Sequence, residues 1–284
     1  MLPKSAYKKN RPPWLRVKYV NNSGNKKISD AVKSNGLNTV CQTANCPNIF
    51  ECYDNSSLTF LILGDKCSRS CSFCRVKSAS SLSLDLDEPR RVAKAVTDLA
   101  LKRVVITSVT RDDILDGGAS LISLTISMTK ENNPDCHIEA LIPDLRGRRA
   151  SFSIIFKSEP DILAHNIETV RRLYPKLRPQ GDYDRSLKVL QLSKQAGLLT
   201  KSGMMVGLGE ERDEIIEAMK DAHSSGTDIF TIGQYLSPSP IHHPISRYYQ
   251  PSEFRELRSI GFDIGFSDVM SGPLTRSSYN LGGK

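Results

Sequence analysis

From residue 58 onward the apolar positions follow two alternating rhythms. Uninterrupted runs at Thr59–Leu63, Arg103–Val109, His137–Ile142, Ile162–His165, Gly203–Val206 and Asp228–Ile232 read as strands buried on both faces. Between them the spacing is helical. Glu88–Leu101 sets Val92, Ala95, Val96 and Leu99 on one face, and Ala119–Lys130, Ser186–Gln195 and Asp213–Ala222 behave alike. Six strands alternating with helices predict an α/β fold, a parallel sheet curved into a partial, TIM-like (β/α)6 barrel. Chemistry on such a sheet belongs to the loops at the C-terminal strand ends. The flanks lack this rhythm. Residues 1–57 read as an irregular N-terminal extension, 58–235 as the barrel, and the turn-rich stretch 236–284 as a C-terminal extension that closes the site.

The chain has 284 residues, enough for one large core. Basic residues number 39 and acidic ones 31, a net charge of +8, scattered along the sequence. That fits a solvated basic surface or attraction to an acidic partner. No nucleic-acid-reading motif is visible, so no nucleic acid is expected. Apolar runs such as Phe60–Leu63 are far too short to span a bilayer, and no apolar signal segment opens the chain, so no membrane is expected. The expected compartment is cytoplasmic, or an organelle matrix if a transit peptide has been removed.

Seven cysteines, an odd number and clustered, argue against a secreted disulfide scaffold and for metal ligation under reducing conditions. Cys67, Cys71 and Cys74 form C-x3-C-x2-C on the loop after the first barrel strand. Three thiolates on one loop can hold three irons of a cubane [4Fe–4S] cluster and leave the fourth iron open. Zinc prefers four ligands, usually as two close pairs. Cys41, Cys46 and Cys52 form C-x4-C-x5-C in the extension. They suit a second cluster, a zinc site completed by a distant His, or free thiols. Cys136 reads as a small buried hydrophobe.

The second triplet, with Phe73 just before its last cysteine, resembles the signature of radical S-adenosylmethionine (SAM) enzymes. Gly203-Met204-Met205-Val206-Gly207-Leu208-Gly209-Glu210 resembles their G-x-I-x-G-x-x-E stretch, with Met at the Ile position. Taken alone it is also a strand ending in a Gly-rich turn. The pattern Cys41-x4-Cys46-Pro47-Asn48-Ile49-x-Glu51-Cys52 ahead of that triplet is similar to the lipoyl synthase family. So are Arg11-Pro12-Pro13-Trp14-Leu15, Arg111-Asp112-Asp113, His165-Asn166-x-Glu168-Thr169-Val170, Thr231-Ile232-Gly233-Gln234-Tyr235-Leu236 and Arg276-Ser277-Ser278-Tyr279.

The resemblance implies a radical SAM sulfurtransferase. It would insert two sulfurs, at carbons six and eight, into an octanoyl group on a lysine of a lipoyl-carrier protein. That carrier would be a 2-oxoacid dehydrogenase E2 domain or the glycine cleavage H protein, and the electron donor a ferredoxin or flavodoxin. Two [4Fe–4S] clusters and SAM are the implied cofactors. Cys67, Cys71 and Cys74 would hold the cluster whose open iron binds SAM. Cys41, Cys46 and Cys52 would hold an auxiliary cluster consumed as sulfur source, with Ser278, or else Ser277, as its fourth ligand. An alkoxide there is a harder and more labile ligand than a thiolate.

The remaining candidates for SAM are Asp112, Asp113, Asn166, Arg178, Gly207 and Phe73. Asp112 and Asp113 either bind SAM's amino group or ribose or cap the next helix. Asn166 follows the fourth strand into the barrel mouth, beside His165, which reads as a satisfied core histidine. Arg178 either pairs with a carboxylate or lies on the surface. Gly207 would let adenine approach the backbone. His242 and His243, in a Pro-rich loop, have no assignable partner.

Overall fold

The computed structural model describes residues 11–17, 23–79 and 83–278. The basic start of the chain, residues 18–22, and Tyr279 of the Arg-Ser-Ser-Tyr block lie outside the described residues. The extension folds as helix α1 (Ser23–Ser34), strand β1 (Asn38–Thr39) and helices α2 (Val40–Thr43) and α3 (Ile49–Asp54). The barrel follows with β2 (Ser57–Ile62), the short pair β3 (Lys66–Cys67) and β4 (Lys77–Ser78), α4 (Glu88–Asp98), β5 (Arg103–Ser108), α5 (Ala119–Asn132) and β6 (His137–Leu141). It continues through α6 (Arg149–Phe156), β7 (Ile162–Ala164), α7 (Tyr174–Leu177), α8 (Tyr183–Gln195), β8 (Thr200–Val206), α9 (Arg212–Ser224) and β9 (Ile229–Gln234). The chain then adds α10 (Pro251–Ile264) and β10 (Asp268–Gly272).

The main sheet runs β1-β2-β5-β6-β7-β8-β9-β10. From β2 to β10 every pairing is parallel and in sequence order, and β1 pairs antiparallel on the outer edge of β2. The six expected strands are therefore present and the barrel is open. A seventh parallel strand, β10, corrects the reading of the tail as turns. Its residues Asp268-Val269-Met270-Ser271-Gly272 bury only Val269, so they show no continuous apolar run. The extension is likewise more regular than expected. Ile28 and Val32, one helical turn apart, bury α1 against the core among otherwise polar neighbours.

Two apolar layers lie between sheet and helices. One joins Phe60, Ile62, Val92, Val96, Val104, Ile106, Ile122 and Ile138. The other joins Leu190, Met204, Val206, Ile215, Phe230, Ile232, Phe254 and Val269. Strand residues facing the opposite way line the barrel, and there the chain places polar groups. Lys201 Nζ on β8 donates to Glu139 Oε2 on β6 at 2.7 Å, with both side chains almost fully buried.

A buried pair of this kind costs nearly as much desolvation as its attraction returns, but a lone buried charge is far worse. Lys201→Met should therefore lower stability by about 3–5 kcal/mol in urea unfolding. Adding Glu139→Leu should recover most of that loss. A double variant as unstable as the single one would refute this account.

Candidate functional site

All the chemistry-bearing loops meet at the C-terminal ends of the strands. After β2 the chain turns through Leu63, in the left-handed region at φ 67. Buried Glu88 at the start of α4 accepts the Leu63 N–H at 2.7 Å. The turn leads into the Cys67–Cys74 loop, and that loop is anchored by Arg69, in the gap between its first two cysteines. The Arg69 guanidinium, in a residue 4% exposed, donates to both oxygens of Asp112 at 2.7 and 3.0 Å, and to both oxygens of Asp144 at 3.0 and 2.6 Å. Asp144 also accepts from Arg185 Nε at 2.8 Å, and Asp112 pairs with Arg146 at 3.2 Å. Burial alone would raise the Asp144 carboxyl's pKa. The hydrogen bond and charge of Arg69, with His165 and Arg185, instead hold it well below the usual carboxylate range.

Weaker bonds complete the frame. Ser68 Oγ donates to Thr110 O and accepts from Asp112 N, and Ser72 N donates to Leu177 O. The Cys67 sulfur accepts the Arg69 N–H at 3.4 Å. From the far side, His242 Nε2 bonds the Cys74 carbonyl at 3.1 Å while its Nδ1 meets Ser239 Oγ at 2.7 Å. A carbonyl can only accept, so Nε2 carries the hydrogen and Nδ1 takes the serine's. His243 donates its backbone N–H to Ser72 O. Both histidines thus clamp the cysteine loop, a role that nothing local in the sequence signals.

The mouth of the barrel carries Asn166, Glu168 and Arg178. Asn166 Nδ2 donates to Glu168 Oε1 at 3.2 Å and to Ser277 Oγ at 3.0 Å. Arg178 is buried, not on the surface, and its Nη1 bonds Tyr174 Oη and the Asn166 carbonyl. Burial pushes the Glu168 carboxyl up, partly offset by the charge of Arg178. The same two charges act on Cys71, whose thiol is pushed up chiefly by burial. His165 donates from Nδ1 to Ile142 O at 2.8 Å, and burial followed by the Arg178 charge pushes its pKa down to about 4.

The first triplet sits in α2, the turn after it, and α3. Thr39 caps α2 by accepting the Gln42 N–H, which fixes Cys41 in the core. Asn48 reaches across to the tail and donates to Leu274 O at 2.7 Å. Arg276 donates to the Thr275 carbonyl at 2.7 Å. Ser277 and Ser278 are half-buried. Ser277 bonds Asn166, so the tail lies between the first triplet and the barrel mouth.

Other expected contacts find different employment. Asp112 is taken up by Arg69 and Arg146. Asp113 pairs with the deeply buried Arg111 at 2.8 Å, and burial of Asp113 is outweighed by that bond, which lowers its pKa. Neither aspartate caps a helix here. With Ser68, Arg146, Gln180 and Arg185 they line a polar cavity of about 520 Å³. A Cβ on Gly207 would lie 2.2 Å from Gln234 Nε2 and 2.6 Å from Arg247 O. The turn's own packing thus accounts for that glycine, and Glu210 secures the turn by accepting the Gly207 and Leu208 amides. Phe73 packs on the second apolar layer.

The donor sets suit iron–sulfur clusters: three free thiols apiece, without a histidine among them. Burial pushes Cys41 up to about 11, and Cys52 and Cys74 to about 12, and the thiols of each triplet raise one another. Only a bound cation makes several adjacent thiolates tolerable. Among the described residues no three His, Cys, Asp or Glu side chains converge on a single ion. Near Cys71, Asn166 Oδ1 and Arg178 Nε are buried without a partner, an acceptor and a donor suited to a polar, zwitterionic ligand.

The radical SAM superfamily profile matches residues 61–222. The chain is 48% identical over 272 residues to a lipoyl synthase of Rubrobacter xylanophilus, covering 95% of this chain and 85% of that one. It is 48% identical over 271 residues to a lipoyl synthase of Caldicellulosiruptor saccharolyticus, covering 95% of each. Among solved structures, methylornithine synthase aligns with a TM-score of 0.56 at 16% identity, over 89% of this chain and 79% of that one. Streptococcus suis SuiB bound to S-adenosylmethionine aligns at 0.58 and 14% identity, over 76% and 50%. At these identities the structural likeness concerns the fold.

Two predictions follow from the electrostatics. Asp144→Ala should destabilise the metal-free protein by about 3–5 kcal/mol, because it strips a buried guanidinium of one partner. Asp184→Ala, which removes an exposed pair with Arg171, should change stability by less than about 1 kcal/mol. Equal effects in thermal unfolding would contradict the assigned roles. His165 is neutral in the fold, and the unfolded chain binds its proton from about pH 6.5 downward. Stability should therefore fall as pH drops from there towards about 4. The total is of order 3 kcal/mol, and His165→Gln should abolish that slope. A wild-type slope retained in the variant would assign it to other groups.

Proposed function

The chain belongs to the lipoyl synthase family of radical SAM enzymes, and from that premise we propose that it inserts two sulfur atoms, at carbons six and eight, into an octanoyl-lysyl group on a lipoyl-carrier protein. What supports this is a continuous run of neighbours across the barrel mouth. Asn48, two residues after Cys46, bonds Leu274 of the tail, Ser277 further along the tail bonds Asn166, and Asn166 bonds Glu168, whose charge bears on Cys71. The tail thus connects the loop of the first thiol triplet to the barrel mouth beside the second. That is the arrangement needed if a radical made at one frame must act on a substrate placed between it and a sulfur source at the other.

In this reading Cys67, Cys71 and Cys74 hold one [4Fe–4S] cluster, and Cys41, Cys46 and Cys52 hold another that Ser278, or Ser277, completes. When bound, the first supplies the electron that cleaves SAM to a 5′-deoxyadenosyl radical, and the second supplies sulfur. Asn166 and Arg178 offer SAM their free acceptor and donor, and Glu168 offers a buried carboxyl to its cationic groups. Asp112 acts through Arg69, by holding the cysteine loop in place. Residues 1–57 would carry the auxiliary cluster, and residues 236–284 would close the 58–235 barrel over the substrate. The carrier would be a 2-oxoacid dehydrogenase E2 domain or the glycine cleavage H protein, with ferredoxin or flavodoxin as donor. Cysteines that must stay reduced suit a cytoplasmic or organelle-matrix setting. Among the described residues no helix is long and apolar enough to cross a membrane.

The deciding experiment incubates an octanoylated carrier domain with the reconstituted enzyme, SAM and a reductant, followed by mass spectrometry. The expected product has gained two sulfurs and lost two hydrogens. An unchanged acyl group, in a preparation that still cleaves SAM, would refute the assignment.

A further inference from the structure

The C-terminal tail does not hang free beside the first triplet. Past β10 the chain makes a turn, with Thr275 N donating to Gly272 O at 3.1 Å, and this turn presents the Leu274 carbonyl outward. Asn48 Nδ2 takes that carbonyl at 2.7 Å. Asn48 is 2% exposed and lies two residues after Cys46. It does not cap the helix it precedes: α3 has no side-chain cap bond from Asn48. Its amide is spent on a residue 226 positions away.

The tail is seated on the barrel as well. A Cβ on Gly233 would lie 2.0 Å from Thr275 O, and one on Gly272 would lie 3.0 Å from Thr275 Oγ1. Beyond this seat Ser277 bonds Asn166. The barrel therefore fixes the tail at Thr275 and Ser277. The Asn48 side chain ties the first triplet's loop to the tail by a hydrogen bond.

We propose that Asn48 is a positioning residue, a latch that sets the tail's distance from the Cys41–Cys52 frame and so governs how firmly a tail serine closes it. This rests on the reading of that frame as a cluster completed by the tail. The latch is short, direct and part-buried, and a carbonyl accepts only from the amide nitrogen, so an isosteric carboxylate cannot replace it.

The test uses Asn48→Asp, which keeps the shape and removes the donor, with Asn48→Ala as the second variant. In the metal-free full chain, amide exchange at Thr275–Ser277 should quicken by about tenfold. In reconstituted enzyme with roughly eight irons, about half should be lost to a chelator several-fold faster than in the unaltered protein. The spectrum and SAM response of the Cys67–Cys74 cluster should stay unchanged. Unchanged amide exchange in both variants overturns the latch. Faster exchange with unaltered iron loss overturns instead the premise that the tail closes the first frame. Equal acceleration of iron loss from both clusters, with a lowered melting temperature, would show that Asn48 merely supports the fold.

Discussion

A single buried guanidinium organises the mouth of this barrel. Arg69 cannot shed its charge, and its burial is tolerable only because two carboxylates meet it in bidentate fashion. Those carboxylates come from the loops after β5 and β6, and Asp144 is held in turn by Arg185 on α8. Four segments far apart in sequence therefore have to arrive together or not at all. The local charge stays modest: Arg69, Arg146 and Arg185 against Asp112 and Asp144 leave one net positive charge, three minus two. The consequence for function is preorganisation. The loop of Cys67, Cys71 and Cys74 takes its shape from protein contacts, so a cluster docks into a formed frame and need not order it.

The rest of the mouth follows a similar economy of polar groups. Glu88 holds the turn before the cysteine loop, Glu210 holds the turn after β8, and Tyr249 Oη steadies Glu210. Each carboxylate spends itself on backbone amides that a tight turn would otherwise leave unpaired. Asn166 Oδ1 and Arg178 Nε, near Cys71, are among the buried polar atoms left without a partner. Stability would favour pairing them, so at this position they offer binding capacity to a polar ligand.

Local pattern was enough for the strands, because an uninterrupted apolar run such as Thr59–Leu63 follows from burial on both faces. It grouped the cysteines too, because each triplet lies within a short stretch of chain. It failed where a residue's meaning lies in a distant partner. Whether Asp112 is a ligand or a helix cap stays open until Arg69 is found beside it, 43 positions away, and whether Arg178 pairs with a carboxylate or lies on the surface stays open until Tyr174 and Asn166 enclose it. His242 joins Cys74 across 168 positions. β10 escaped notice for another reason: an edge strand that buries a single valine has no run to recognise. The family resemblance reached across some of this distance by pointing to the tail serines, one of which, Ser277, bonds Asn166 in the barrel mouth.

The two triplets are consequently held by different physics. The Cys67–Cys74 loop is pinned by charge and by backbone bonds on three sides. The Cys41–Cys52 frame is pinned mainly by apolar burial of Cys41 and Tyr53 and by short helices. Burial raises thiols in both frames alike, Cys52 and Cys74 each to about 12. Metal binding there must expel protons from a buried site, and loss of metal lets them return.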